Sequence, residues 1–261
     1  MFYTLGDIHG QMAELDRALA LIEADGGAES DLVFLGDLVD RGPDSRGVID
    51  TIIDGQAAGR PWHCILGNHD RMFARFVGEG VVTDPAIKSG KGWLHTALGG
   101  PTTLASYMHH LDLDHPDWNG MDGLLRNGLD GAAPELVRRV SDAARDAVPD
   151  AHIEWINNLP LMVERPGHVF VHAGIRPGVP LHDQTEDDLI WIREGWLDDA
   201  RDHGVMVVHG HTALDFPQHH GNRINLDGGA GYGRPLVPAV FDGDNWYALS
   251  ETGRGLLGPA R

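Results

Sequence analysis

Apolar positions in the first third of the chain follow two alternating patterns. Short, mostly apolar runs, FYTL from Phe2, LVFL from Leu32 and WHCIL from Trp62, have the length and content of strands. Between the first two, Met12, Leu15, Ala18, Leu19 and Ile22 recur at helical spacing, and Gly26 and Gly27 stop the pattern, which predicts a helix from about Gln11 to Asp25. A second helix is predicted from about Asp44 to Ala58. Strand, helix and strand in this order imply βαβ units and a parallel sheet.

From about Met72 to Leu159 the pattern changes to helical segments and loops. One helix is predicted over Pro134 to Val148, with Pro at its first position and Leu136, Val137 and Val140 on one side. Short strands then return as HVFV, VMVV, RINL, LVPAVF and NWYAL, and their spacing predicts a second, more antiparallel sheet. The Gly-rich tail from Gly253 is expected to be mobile. No repeat or linker marks a boundary, and 261 residues suffice for one large core. The expectation is an α/β protein: a single domain over 1–261 with two β-sheets as its core, flanked by helices, and a helical insertion over 72–159.

Three of the strands end in one grammar. TLGD, FLGD and ILGN are each an apolar run, a Gly, then an oxygen-bearing residue. Gly lets the backbone turn sharply, and the carboxyl ends of parallel strands form the ligand crevice, so these residues are expected to converge. GDIHG supplies Asp7 and His9, GDLVDRG supplies Asp37, Asp40 and Arg41, and GNHD supplies Asn68, His69 and Asp70. The steps from Asp7 to Asp37 and from Asp37 to Asn68 are 30 and 31 residues, each one βα unit. Two later apolar runs end in His172 and in His209 or His211. Carboxylates, imidazoles and an amide oxygen together suit Mn, Fe, Zn or Mg. The plainer alternative, helix caps and polar turns, explains each residue singly but not the repeated spacing.

Charge narrows the partners. With 20 Lys+Arg against 39 Asp+Glu the formal charge is -19, which disfavours nucleic acid and requires an anionic substrate to be attracted locally. The single cysteine, Cys64, excludes an internal disulfide and fits a reducing cytoplasm. The early start of GDIHG leaves no room for a targeting signal, and no apolar run has transmembrane length, so no membrane association is expected. HHLDLDHPD at 109–117 looks like a metal nest but is expected to be a solvated loop. GGAGYG at 228–233 is expected to be a turn between strands, TEDD at 185–188 surface or a cap, and Trp93, Trp155 and Trp191 core residues.

GDxHG, GDxxDRG, GNHD, VFVHAG and VVHGHT, in this order from Gly6 to Thr212, resemble the calcineurin-like metallophosphoesterases, and GDxxDRG resembles their phosphoprotein phosphatase branch. That resemblance implies a two-sheet fold flanked by helices and two divalent ions, Mn foremost, with Fe, Zn or Mg also suitable. It makes Asp7, His9 and Asp37 ligands of the first ion, and Asp37, Asn68, His172 and His211 ligands of the second. It puts the catalytic histidine at His69, its orienting carboxylate at Asp40, and the phosphate-binding arginines at Arg41 and at Arg193 in LIWIREGWL. Many relatives end in GHxH, whereas here Ala213 stands at the second His and should leave the first site more open. Asp70 stands where many relatives carry Glu, a change given no functional weight.

The implied chemistry is phosphomonoester hydrolysis by a metal-activated water, with protein phosphoserine and phosphothreonine as the favoured substrates. The alternative is hydrolysis of dinucleoside polyphosphates such as diadenosine tetraphosphate. A regulatory module that had retired from catalysis would be expected to lose a ligand or the catalytic histidine, and this sequence retains them all.

Overall fold

The computed structural model describes residues 1–115 and 118–259. Its first third follows the predicted alternation: β1 (Phe2–Leu5), α1 (Met12–Gly26), β2 (Leu32–Phe34), α2 (Ser45–Ala57), β3 (Trp62–Cys64) and α3 (Asn68–Glu79). β1 pairs parallel with β2, Tyr3 opposite Leu32, and β2 pairs parallel with β3, Leu32 opposite Trp62. Both β1 and β2 are buried at every position, because both faces of the sheet are covered; hence their largely apolar runs, the one polar residue, Thr4, giving its hydroxyl to the Val33 carbonyl at 2.9 Å.

α4 (Gly100–Tyr107), α5 (Gly120–Asn127), α6 (Pro134–Ala147) and α7 (Asp150–Asn157) follow. α6 buries Leu136, Val140 and Ala144 on one side and turns Arg138 outward to Glu135 and Asp142. α3 packs against α6 and α7, which ties these helices to the strand ends. The stretch expected to be a solvated loop is only partly so. His109 and His110 are exposed, but Leu111 and Leu113 are buried in the core, giving the segment an apolar anchor; Pro116 and Asp117 lie outside the described residues.

The remainder comprises β4 (Met162–Arg165), β5 (His168–Val171), α8 (Glu186–Trp191), β6 (Met206–His209), β7 (Gln218–His219), β8 (Arg223–Asn225), β9 (Ala239–Phe241), β10 (Trp246–Ser250) and β11 (Gly253–Leu256). One sheet has the order β11-β10-β9-β1-β2-β3, the other β4-β5-β6-β8-β7. This corrects two expectations. The strands within LVPAVF and NWYAL join the first sheet, where β9 runs antiparallel to β1, and the second sheet is mixed, with β5, β6 and β8 parallel. Apolar spacing identifies a strand but not its partner; here ring contacts from Phe2 to Phe241 and to Trp246, at 5.2 and 5.6 Å, dock β9 and β10 beside β1. Within the tail, Gly253–Leu256 form a strand rather than a mobile end, paired along β10 and held by Arg254 to Asp25 at 2.7 Å; Ala260 and Arg261 lie outside the described residues.

The sheets face one another across Phe2, Val33, Leu35, Ile65, Phe170, Val208, Ile224 and Leu226, all buried. A larger apolar cluster lies between the first sheet and α1 to α7, and a smaller one, including Ile190 and Trp196, covers the second sheet. The result is a helix–sheet–sheet–helix stack, in which each fully buried Leu, Ile or Phe contributes about 1.5–3 kcal/mol. Among the described residues no helix is long and apolar enough to cross a membrane.

Candidate metal centre

The strand-end motifs meet at one end of the two sheets. Asp7 follows β1, Asp37 follows β2, Asn68 and His69 open α3 after β3, His172 follows β5, and His211 follows β6. Gly is needed where these loops touch. A Cβ at Gly67 would lie 2.2 Å from the Asp37 backbone nitrogen, and one at Gly210 would lie 2.1 Å from Asp7 Oδ1. Five non-glycine residues have left-handed φ among the described residues: His9 (50°), Asp37 (50°), Asp40 (77°), Arg41 (67°) and His211 (65°). All five are candidates from the sequence, and such backbone costs about 1–3 kcal/mol per residue and concentrates at functional sites.

Second partners aim the imidazoles. His172 donates from Nδ1 to the Leu35 carbonyl at 2.8 Å, and His9 from Nδ1 to the Val39 carbonyl at 2.7 Å. Each ring therefore turns Nε2 inward, the usual arrangement of a metal-binding histidine. Inside, His172 Nε2 is 3.4 Å from Asp37 Oδ1, and His9 Nε2 is 3.6 Å from Asp37 Oδ2 and 3.9 Å from Asp7 Oδ2. Asn68 Oδ1 lies 2.9 Å from His172 Nε2 and 2.8 Å from His211 Nδ1. Donor atoms held about 2.0–2.2 Å from one ion stand about 3–3.6 Å apart, so this spacing fits a metal.

Two groups have their ligand atoms within 4.8 Å of one another: His9, Asp37 and His69, and Asp37, His172 and His211. Asp37 belongs to both, as a carboxylate shared by two ions would. The first group includes His69 where the sequence reading has Asp7. Asp7 is beside it, with Oδ1 and Oδ2 accepting the His211 N–H at 3.0 and 3.2 Å. His211 Nε2 is buried and has no protein partner among the described residues, a donor atom suited to a cation.

The electrostatics also favour a cation. Burial pushes Asp7 well above the usual carboxylate range, reinforced by Asp227 and Asp37. Burial also opposes charge on Asp37, but His172 and His69 outweigh it and hold Asp37 well below that range. His172, disfavoured by burial as a cation, is nonetheless pushed up to about 9 by Asp37 and Asp7. A field that draws a proton onto a fully buried imidazole draws metal cations too. Burial keeps His9 and His211 well below the ordinary histidine value, hence neutral, the form that ligates.

Beside these groups His69 presents Nδ1 to Asp40 Oδ2 at 2.6 Å. The carboxylate can only accept, so Nδ1 carries the proton and Nε2 faces outward. Arg41 stands against His9 Nε2 and, at 3.2 Å, His69 Nε2, with Tyr232 4.8 Å from its guanidinium carbon. Arg193 donates to the His211 carbonyl at 3.1 Å, and the neighbouring Glu194 pairs with Lys88 at 2.8 Å instead. A cavity of about 640 Å³ opens here, lined by Asp37, Asn68, His69 and His211 and by Arg41, Arg193, Lys88, Trp191, Asp227 and Tyr232. All ten predicted site residues are thus brought to one end of the sheets.

His209 lies outside both groups. It is fully buried, with Nδ1 3.1 Å from the Gly210 carbonyl and its ring 5.5 Å from that of Trp196. GGAGYG is a turn between β8 and β9, as expected, and Thr185 and Asp188 cap α8. One acidic residue was missed, and another was seen but given no weight. Asp227, 4% exposed, faces the cavity after β8 and is raised by burial; its signal was an apolar run, RINL, ending in an Asp followed by Gly. Asp70 accepts the Leu38 N–H at 2.9 Å and the Gly67 N–H at 3.1 Å, pinning the loops that carry Asp37 and Asn68.

Two facing sheets with helices outside, and acidic and imidazole side chains at the strand ends that could hold metal, define a metallophosphoesterase architecture. The family model for calcineurin-like phosphoesterases matches residues 2–236, and the chain belongs to that family. It is similar to a symmetrical bis(5'-nucleosyl)-tetraphosphatase of Janthinobacterium sp. (strain Marseille), 27% identical over 175 residues, 67% of this chain and 44% of that protein. It is also similar to the asymmetrical bis(5'-nucleosyl)-tetraphosphatase PrpE of Geobacillus thermodenitrificans (strain NG80-2), 24% identical over 89% of this chain and 87% of that one. The chain thus spans less than half the length of the Janthinobacterium relative but most of the Geobacillus one. A crystal structure provisionally assigned as a diadenosine tetraphosphatase superposes with a TM-score of 0.63 at 22% identity, covering 98% of this chain and 94% of that chain, which shows the shared fold.

Proposed function

We propose that the protein is a metal-dependent hydrolase of dinucleoside polyphosphates. The observation that carries this is the cavity: Arg41 and Arg193 line it, as do Lys88, paired there with Glu194, and Tyr232, which is 62% exposed and lies against Arg41. A phosphate chain ending in a nucleoside needs several cations and an aromatic face, and on a surface of charge -19 those cations must be local. The two bacterial relatives, both named as bis(5'-nucleosyl)-tetraphosphatases, support the same class. This reverses the order favoured on sequence. Hydrolysis of protein phosphoserine or phosphothreonine is the second reading, favoured by the intact GDLVDRG and GHT.

Asp7, His9 and Asp37 would hold one divalent ion, and Asp37, Asn68, His172 and His211 the other, with Mn the first choice and Fe, Zn or Mg acceptable to the same donors. When bound, such ions activate water and neutralise phosphoryl charge. Arg41 and Arg193 grip non-bridging oxygens, since a guanidinium fork matches phosphate geometry. In its doubly protonated form, with Nδ1–H held by Asp40, His69 would hand the Nε2 proton to the leaving oxygen, a contribution of about 10²- to 10⁴-fold. The same reading takes 1–261 as one domain with 72–159 as its helical insertion, supported by the family match over 2–236. It also takes the protein as cytoplasmic, supported by its lone, buried Cys64.

The test compares kcat/KM of the Mn-loaded protein on diadenosine tetraphosphate and on phosphoserine and phosphothreonine peptides. Preference for the dinucleotide by tenfold or more is expected. Preference for the peptides would establish the second reading, and no turnover of either would refute both.

A further inference from the structure

We propose that Trp93 and Thr103, both from the segment between α3 and α7, are positioning residues that lock Asp40 against His69. This rests on the reading of His69 as the proton donor, and it gives the helical segment a part in the chemistry.

Asp40 has no exposed surface. Its Oδ2 accepts from His69 Nδ1 at 2.6 Å and from Trp93 Nε1 at 2.8 Å, and its Oδ1 accepts from Thr103 Oγ1 at 2.6 Å. A hydroxyl has one hydrogen, and Thr103 gives it to that carboxylate, so its lone pairs are left to receive the Asp40 backbone N–H at 2.8 Å. One threonine therefore holds both the backbone and the side chain of a residue whose φ is 77°. Ser45 Oγ supports the same N–H at 3.1 Å.

The indole cannot turn away. Trp93 is fully buried, with its ring 5.8 Å from Phe73 and 4.9 Å from Phe76. Phe73 stands four residues after His69 on α3, so the helix that carries the imidazole also walls in the indole. On the other side a Cβ at Gly100 would lie 2.5 Å from the Trp93 carbonyl oxygen and 2.7 Å from two ring atoms. The Gly99 carbonyl accepts from the Arg41 N–H at 3.4 Å, so one short stretch touches Asp40 and Arg41 alike.

A buried Trp seeks a partner for its N–H in any core. Here the partner is a carboxylate that already receives an imidazole and a hydroxyl, and the three donors fix its rotation about Cβ–Cγ. With either donor removed, the carboxylate can rotate and the His69 ring loses its bearing. The loss should fall on proton transfer more than on binding.

The experiment measures kcat and KM of the Mn-loaded protein on a leaving-group series from 4-nitrophenyl phosphate through phenyl phosphate to an alkyl phosphate. Wild type is compared with Trp93→Phe, Thr103→Val, Thr103→Ser and His69→Asn, with metal content measured for each. A good leaving group needs little protonation and a poor one needs much. Trp93→Phe and Thr103→Val should retain metal and lose at least about tenfold more kcat on the alkyl ester than on the nitrophenyl ester, with KM within about twofold. Thr103→Ser should restore the wild-type dependence. Should Trp93→Phe fail to fold, the Thr103 pair decides alone. Equal losses across the series would overturn the proposal and leave both residues structural. If His69→Asn itself shows no leaving-group dependence, the reading of His69 fails, and the proposal with it.

Discussion

Two histidines stand two residues apart after one apolar run, and replacing them separately should have opposite consequences. His209 is fully buried, and burial lowers it to about 3, so it is neutral. Its Nε2 has no protein partner among the described residues, and a buried polar atom in that state costs about 1–3 kcal/mol. His209→Leu removes that atom at similar volume, so stability should change by less than about 1.5 kcal/mol in either direction. Both metal groups should be untouched. His211 instead puts Nδ1 2.8 Å from Asn68 Oδ1 and has a ligand atom within 4.8 Å of those of Asp37 and His172. Loss of even an outer partner of a metal ligand costs about 10- to 100-fold in affinity. Deleting the ligand with His211→Ala should therefore weaken one Mn equivalent by at least about 100-fold, or about 2.8 kcal/mol. Titration calorimetry with Mn, with metal stoichiometry and kcat on both variants, reads the difference. Retention of both ions by His211→Ala, with loss of one by His209→Leu, would refute the assignment.

Chelation should abolish turnover of diadenosine tetraphosphate and added Mn should restore it; full activity in metal-free protein would remove the proposed mechanism. Asp40→Asn should lower kcat by about 10²-fold with metal content unchanged if, as proposed, Asp40 orients His69 rather than binding metal; metal loss would count against that division of roles. Asp70→Ala strands two buried N–H groups, those of Leu38 and Gly67, and should cost about 2–6 kcal/mol in urea unfolding; a loss under about 1 kcal/mol would show that other groups satisfy them. Asp25 is held below the usual carboxylate range chiefly by hydrogen bonds from Arg254. Its contribution is therefore complete above the unfolded value of about 3.9 and is lost as pH falls through the lower folded value. Asp25→Asn should accordingly reduce Tm more at pH 7 than at pH 2, and equal reductions would contradict the assignment.

The loops of Asp7, Asp37, Asn68 and His211 were legible because each repeats one device, an apolar run, then a Gly and a polar residue. Asp227 breaks that order, with its glycines after the acid, and went unread. Asp70 was visible, but its work is to receive backbone N–H groups from two loops brought together only by the fold. Trp93 was expected to be core, and it is; that its N–H reaches Asp40, 53 residues away in sequence, no local pattern could reveal. Sheet membership failed for the same reason. β9 and β10 have the composition of strands, but it is the packing of Phe241 and Trp246 on Phe2 that assigns them to the first sheet.

The five left-handed residues carry a consequence for divergence. Glycine would relieve the backbone at His9, Asp37, Asp40, Arg41 and His211, yet it would also delete the side chains through which the site is proposed to work. Selection for folding and selection for chemistry therefore pull in opposite directions at these positions. A descendant released from catalysis would gain stability by drifting there toward glycine, whereas one still under catalytic selection would keep the strain. The spread of glycine at these five sites across a lineage would thus serve as a clock for the loss of activity, readable from sequences before any assay.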